Sequence, residues 1–505
     1  MTSNYPWPTI IVLPPVPAGL LIPPLPSPHG GNKIVRRYTP GICSPEPPPI
    51  THTLCYHFES NSPFVRLRED YDRINLPSDF HRRLGIDGLP MGLIPPTGLV
   101  TASATLAARP VTRSPRSPHL LMLAMHSGQA GLFAPQDTPP PFLVREPELI
   151  PAHLPLCSWG GKRRPYAATK FIPYTAGGPI SLSAGAITMG PYVPGEPALD
   201  FRVLADRSHP AAPEMVSYLS FPMAHAVKPP ILPLHARSPD THGEAHYSTR
   251  MLPAGAPSKM GGHGPIRINM ESLPRAHSVP APGLAVVGAT QIVRAALIPL
   301  NQRSVKRRIA HSSVSHMGPV PIGIGPITEI GPEGAILQMI SHGSTGAAPF
   351  LTGGTSCDRM QTPFLGRMGG IAILMPRIFI MPSSLPIAPS APPGMSGSAA
   401  ESMVSPGVAG DKNRSYDSKI IVLATGAIGV ILTPIHPLSM PRQMPYGHSG
   451  VSTAPMVPRA MDSGPREISI PIRSLLPVIG IGLYPNSVLS LCRGGVYPVL
   501  ESLEQ

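Results

Sequence analysis

Two ionisable residues stand inside apolar runs. Glu146 lies between Phe142-Leu143-Val144 and Leu149-Ile150, and Lys228 between Met223-Ala224-His225-Ala226-Val227 and Ile231-Leu232. A charge in apolar surroundings is costly, and by default it carries protons, pairs with another charge or marks an ion path. Making or breaking a Glu–Lys pair in such a setting can load or release a proton. Glu148 is either a second acid of the same run or a residue nearer its edge. Other chemistry-bearing groups are weaker. His235, His242 and His246 with Glu244 are metal-ligand types, but the spacing is HxExH rather than the HExxH of a zinc-binding helix, so a solvated loop is expected. Val286–Thr290 and Leu423–Ala427 each hold a glycine turn without the full dinucleotide fingerprint. Five cysteines (Cys43, Cys55, Cys157, Cys357, Cys492) form no CxxC, which indicates neither a disulfide framework nor a zinc site.

The elements that must hold Glu146 and Lys228 are read from where charge is missing. Charged residues are 13% of the 505 residues, about half the 25% of ordinary globular chains. Nine windows of 19 or more residues carry no Asp, Glu, Lys or Arg: 2–32, 88–108, 117–136, 171–195, 309–328, 334–357, 378–400, 420–441 and 474–492. A bilayer span needs about 20 apolar residues. Window 420–441 reads as a span as it stands, and most others would if prolines, serines and histidines did not replace large apolar residues. The chain has 73 prolines and 49 glycines, and each proline inside a helix costs about 3 kcal/mol. With a mean hydropathy of +0.08 it is too apolar for a chain disordered by charge. The formal net charge is +13, from 32 Arg and 8 Lys (40 in all) against 27 acids. The cations are scattered, the longest runs being Lys162-Arg163-Arg164 and Lys306-Arg307-Arg308, and aromatics are 5%. No nucleic-acid partner is expected, and no secretory signal is legible at the N-terminus.

Several long, collinear stretches resemble the antiporter-like subunits of complex-I-type proton pumps, in their plastid NAD(P)H–plastoquinone oxidoreductase chain 4 branch. They include GIDGL at 85–89, ATLAARPVTR at 104–113 and REPELIPAHLPLCSWGGKRRPYAATKFIPYTAGG at 145–178. Further on come AHAVKPPILPLHARSPDTHGEAHYST at 224–249, RIAHSSVSHMG at 308–318, GAILQMISHG at 334–343, PGMSG at 393–397 and ILTPIHPLSMPRQMPYG at 431–447, then DSGPRE at 462–467 and LLPVIGIGLYP at 475–485. The resemblance implies an all-α polytopic membrane protein of about 14 transmembrane helices with two inverted five-helix repeats. Residues 1–114 would be N-terminal helices, 115–270 and 277–441 the repeats, and 442–505 a last helix and tail. One helix would break just after Lys228 and another near PGMSGSAAE, a recurrent transporter design. Glu146 and Lys228 would form the input-side pair and Lys259 the central relay lysine. His316 and His342 would sit beside the polar axis, with Glu401 as the exit-side acid. The subunit would bind no cofactor itself; NAD(P)H, FMN, iron–sulfur clusters and plastoquinone would belong to other subunits of the complex. Its partners would be those subunits and the thylakoid bilayer.

Departures from the family run in one direction. Pro and Ser stand where it has Leu and Phe, His for Tyr (His225, His311, His436), Arg for Trp (Arg82, Arg109, Arg145, Arg237), and Arg250 where many members have Cys. Each swap is a C read in place of a U. The sequence therefore reads as the translation of an unedited plastid gene whose transcript undergoes C-to-U editing, and helices interrupted where prolines cluster are expected. Two alternatives are a stand-alone monovalent cation/proton antiporter and, taking the residues literally, a Pro-rich disordered interaction protein.

Overall fold

The computed structural model describes residues 7–22, 67–72, 81–110, 116–134, 139–161, 163–189, 210–369, 375–377, 380, 394–446 and 462–493. Helices dominate, apart from one antiparallel two-stranded sheet of β1 (Leu67–Asp72) and β2 (His81–Ile86), in which Leu67 faces Ile86 and Asp72 faces His81. The helices run α1 (Trp7–Val12), α2 (Pro15–Leu20), α3 (Gly88–Ala107), α4 (Arg116–Gly131), α5 (Pro139–Trp159), α6 (Arg164–Met189) and α7 (Ala211–Ala226). After a break come α8 (Arg237–Glu244), α9 (Tyr247–Gly255) and α10 (Pro257–Gly264), which continues into a π turn, Pro265–Met270. Next are α11 (Pro274–Ser278), α12 (Ala281–Leu297), α13 (Val305–His316), α14 (Pro319–Ile324), α15 (Ile330–Thr345) and α16 (Ala348–Met360). The last are α17 (Ser396–Gly410), α18 (Tyr416–Leu432), α19 (Ile435–Tyr446), α20 (Pro465–Leu483) and α21 (Asn486–Arg493).

The bundle is apolar outside and polar in places within, the reverse of a soluble protein. Helix α18 belongs to the apolar stretch Tyr416–Met440, which holds an 18-residue window of mean hydropathy 1.9, yet turns Ile421 and Ile431 outward at 58% and 68% exposure. Meanwhile Lys259, Arg250, Gln129, Gln291 and His119 are buried. α15 is central, packed between α3, α14 and α17, with α10 and α20 also against it. Leu89 and Leu93 of α3 meet Phe133, Ile336 and Ile340 in one apolar cluster, and Val100, Met251, Ile309 and Phe350 build another.

Two described helical stretches are long and apolar enough to cross a bilayer, Ala281–Asn301 and Tyr416–Met440, with the sharply bent pair α20–α21 as a third. This is fewer than the family resemblance leads one to expect. Prolines, serines and arginines lower the hydropathy of other helices, and breaks shorten them. Proline does not interrupt every helix, however: α3 runs unbroken through Pro95-Pro96 because neighbours bury it on nearly every side. Between α7 and α8 the chain does leave the helix, and Lys228 and the prolines after it occupy the gap. The N-terminal side of the second expected break lies outside the described residues.

Candidate functional site

Lys228 follows the last residues of α7, where Pro229 and Pro230 cannot donate N–H groups to continue the helix. Its Nζ is 3.2 Å from Glu148 Oε2 of α5, the two side chains being 12% and 7% exposed. Gln129 of α4 donates its Nε2 to Glu148 Oε1 at 3.3 Å, and Met260 Sδ of α10 is 3.5 Å from Lys228 Nζ. Three helices thus converge on one ion pair. Glu146 is carried by the same helix as Glu148, but its side chain lies outside the described residues. The acid that meets Lys228 among the described side chains is Glu148.

Lys259 is 2% exposed at the start of α10. Helix α9 ends one turn earlier, at a break on Ala256 where Pro257 follows. Ala254 O accepts hydrogen bonds from Ser258 Oγ, at 3.1 Å, and from Lys259 Nζ. The same Nζ donates to Ser258 Oγ at 3.0 Å and lies 2.8 Å from His342 Nδ1 of α15. His342 and His316 of α13 are both 3% exposed, with ring centroids 6.3 Å apart. A cavity of about 50 Å³ has Lys228, Ser258 and His342 in its wall, so it joins the ion pair to the Lys259–His342 contact. At about 10–15 Å³ of such space per water, it accommodates a short water chain.

Glu401 of α17 is 8% exposed and its Oε2 has no hydrogen-bond partner among the described residues. It lines a separate cavity of about 30 Å³ with Ile322, Val404 and Val430. Polar residues lie between the histidines and α17. Gln338 Nε2 donates to His316 O at 2.8 Å, and Ser396 Oγ, on α17, donates to Ser341 Oγ at 2.7 Å. The structure thus brings Lys228, Lys259, His342 and His316 into one connected interior and sets Glu401 beyond it on α17. Such a line of buried titratable groups, bridged by contacts and small cavities, suits stepwise proton transfer.

The HxExH segment corrects the sequence reading. It is not a solvated loop: α8 holds His242 buried and stacked on Phe350 at 5.0 Å. Among the described residues no group of three or more His, Cys, Asp or Glu is arranged to hold a metal ion. Both glycine turns, Val286–Thr290 and Leu423–Ala427, lie in the middle of helices α12 and α18. Sequence reasoning did not single out Gln129, Ser258 or Arg308 near the relay groups. No pattern in the sequence marks them, because each meets its partner only through the packing of separate helices.

Residues 142–408 match the family described as NADH:quinone oxidoreductase/Mrp antiporter, TM. The chain is 63% identical over 499 residues to the chloroplastic NAD(P)H-quinone oxidoreductase chain 4 of Huperzia lucidula, covering 99% of each chain. It is 58% identical to that of Angiopteris evecta, again over 99% of each. Its fold is that of a chain in respiratory complex I from Thermus thermophilus, with a TM-score of 0.84 at 22% identity over 98% of this chain and 99% of that one. A chain of the Mrp complex from a Dietzia species matches with a TM-score of 0.81 at 14% identity, over the full length of both. With relatives this similar from end to end, the chain belongs to the chloroplast NAD(P)H-quinone oxidoreductase chain 4 family.

Proposed function

We infer that this chain is the antiporter-like, proton-translocating membrane-arm subunit of a complex-I-type NAD(P)H:plastoquinone oxidoreductase in the thylakoid membrane. The redox groups sit in other subunits, and this subunit carries protons. In this reading the chain spans the membrane about 14 times in two inverted repeats. Protons enter at the Lys228 ion pair, with Glu148 and Glu146 as its acids, and pass through the cavity to Lys259 and His342. They continue by His316 and leave by Glu401. The observation that carries the reading is the 2.8 Å contact between Lys259 and His342 in a fully buried interior. Bulk solvent does not reach a lysine there, so a permanent charge is costly, and its ring partner can take up the proton it gives away.

Lys228→Ala tests it. Proton uptake by thylakoids should be abolished while the complex still assembles, and unchanged uptake would refute the relay. The fold shared with an Mrp chain favours one second reading, a stand-alone cation/proton antiporter; co-purification with redox subunits decides against it.

The working protein, in this reading, differs from the encoded one by C-to-U editing. Arg250, 2% exposed, and His436, 1% exposed, are polar side chains in positions a packed membrane interior does not favour. Sequencing the transcript at the codons for Pro147, Pro229, Arg145, Arg237 and His225 should read uridine where the gene has cytidine. A transcript identical to the gene would overturn the editing hypothesis.

A further inference from the structure

Helix α19 has no part in the relay described above, yet it delivers a titratable side chain to it. His436 is 1% exposed, and neither ring nitrogen has a hydrogen-bond partner among the described residues. Its ring centroid is 6.0 Å from that of His316, whose own Nδ1 is likewise without a partner. His316 stands 6.3 Å from His342, and His342 meets Lys259 at 2.8 Å. All three histidines line a single cavity of about 30 Å³, with Arg308, Ser313 and Thr345 also in its wall.

A buried polar atom left without a partner costs about 1–3 kcal/mol, so three ring nitrogens without partners around one cavity are not the economy of a packed core. Water in the cavity can supply those partners. The space holds about two waters at 10–15 Å³ each. One water with partners at about 2.8 Å on each side spans about 5.5 Å, enough to link the nearest nitrogens of rings whose centroids are 6 Å apart. The helix end behind His436 is fixed. Arg308 donates through Nη2 to His436 O at 3.1 Å and to Ser439 Oγ, and through Nη1 to Gln443 Oε1 at 3.1 Å. A guanidinium cannot give up its proton, so Arg308 anchors α19 without joining the transfer.

We propose that position 436 is a proton-transfer position, forming a branch that leads from Lys259 through His342 and His316 to the α19 side of the bundle. The proposal rests on the relay reading above. In each step a protonated His316 passes one proton through the bridging water to a neutral nitrogen of His436. His436 releases the proton on its other nitrogen to water, so one proton moves and no other bond changes. A tyrosine at 436, which a single C-to-U change in the codon supplies, also carries an exchangeable proton at a polar atom. The role therefore belongs to the position in either form.

The test is made in the assembled thylakoid complex, measuring proton uptake per complex with the amount of complex read from native gels. Tyr and Phe have the same shape and differ by one hydroxyl, so a packing role is met equally by both. The expected result is uptake within about twofold of the unmutated complex for His436→Tyr and a clearly larger loss, about threefold or more, for His436→Phe, the Glu401 route keeping its share of the outflow. Equal uptake by the Phe and Tyr variants, or loss in both, overturns the proposal. Should His436→Phe fail to assemble, His436→Asn keeps polar atoms but does not take up a proton; loss of uptake there supports the branch, and uptake like that of the encoded form overturns it. Lys228→Ala is run in parallel. If that variant pumps normally, the relay and its branch fall together. If it is inactive while His436→Phe pumps, the branch alone falls.

Discussion

Replacing Lys259 by arginine distinguishes a lysine that carries a proton from one that only holds a charge. Lys259 is 2% exposed and its Nζ is shared among Ala254 O, Ser258 Oγ and His342 Nδ1. Arginine keeps the positive charge and more donors than these acceptors need, but it does not deprotonate. Its bulk is the structural cost. A Cβ at Gly343 would stand in ordinary contact, 3.6 Å, with Lys259 Cε, so α15 leaves room for little more than one carbon on that side. Overpacking of this kind costs about 1–3 kcal/mol, below the usual stability of about 5–15 kcal/mol, so the complex should assemble in reduced amount. If Lys259 hands its proton to His342, uptake per assembled complex should fall by about 10²-fold or more, the low end for a lost acid–base group and about 2.7 kcal/mol of barrier. Lys259→Met should be equally inactive. Its stability cost is at the low end of about 1–3 kcal/mol for an orphaned His342 nitrogen, because the cavity beside His342 can supply water. The assay is light- or NAD(P)H-driven proton uptake by thylakoids, normalised to complex. Uptake by Lys259→Arg within twofold of the encoded form would refute the assignment, since charge alone would then suffice.

The ion pair at 3.2 Å predicts that Glu148→Gln, which keeps the shape and the contact with Gln129, lowers uptake by about tenfold or more; unchanged uptake, measured against Glu146→Gln, would refute a role for that pair. Gly255 ends α9 beside the Ala256 break, and a Cβ there would collide with Val100 Cγ1 and sit 2.9 Å from its Cβ. Val100 is β-branched and cannot swing away, so Gly255→Ala should cost about 1–3 kcal/mol or more and lower the amount of assembled complex. Gly177→Ala, where nothing lies within 4 Å, should leave the amount of complex unchanged.

How much of this was legible in the sequence differs residue by residue. Lys228 was readable because a lone charge in an apolar run stands out and Pro229-Pro230 mark the break beside it. Its partner was not. Both Glu146 and Glu148 lie in the stretch from Phe142 to Ile150, and only the face that α5 turns toward α4 and α7 puts Glu148 beside Gln129 and Lys228. Lys259 has no apolar run around it, since Gly261-Gly262-His263-Gly264 follow it, and only the family resemblance pointed there. The histidine cluster draws on α13, α15 and α19, between 26 and 120 residues apart in the chain, and no local pattern foretells their meeting. His242 was misread for the opposite reason: its polar neighbours Thr241 and Glu244 suggest a loop, but stacking on Phe350 of α16 pulls it inside.

Proline, the anomaly of the composition, acts differently in two places. In α3 the adjacent Pro95 and Pro96 free the carbonyls of Met91 and Gly92 together, and burial among Leu89, Leu93 and Ile340 holds the helix through that single defect. Around Lys259 the prolines recur at 253, 257 and 265. The spacing of four between Pro253 and Pro257 sets their rings against the same face of the helix, so those two defects add instead of being shared out. There the chain breaks at Ala256 and runs into a π turn from Pro265. The break has a chemical consequence. The turn at Ala256 ends α9 before the N–H of Ser258 can reach Ala254 O, and that carbonyl is left to Ser258 Oγ and Lys259 Nζ. With leucine in place of those prolines, an unbroken helix would give Ala254 O to the N–H of Ser258. Lys259 would keep only Ser258 Oγ and His342, and so be freer to pass its proton to the ring. The encoded prolines thus tether the central lysine, and their loss by editing would release it.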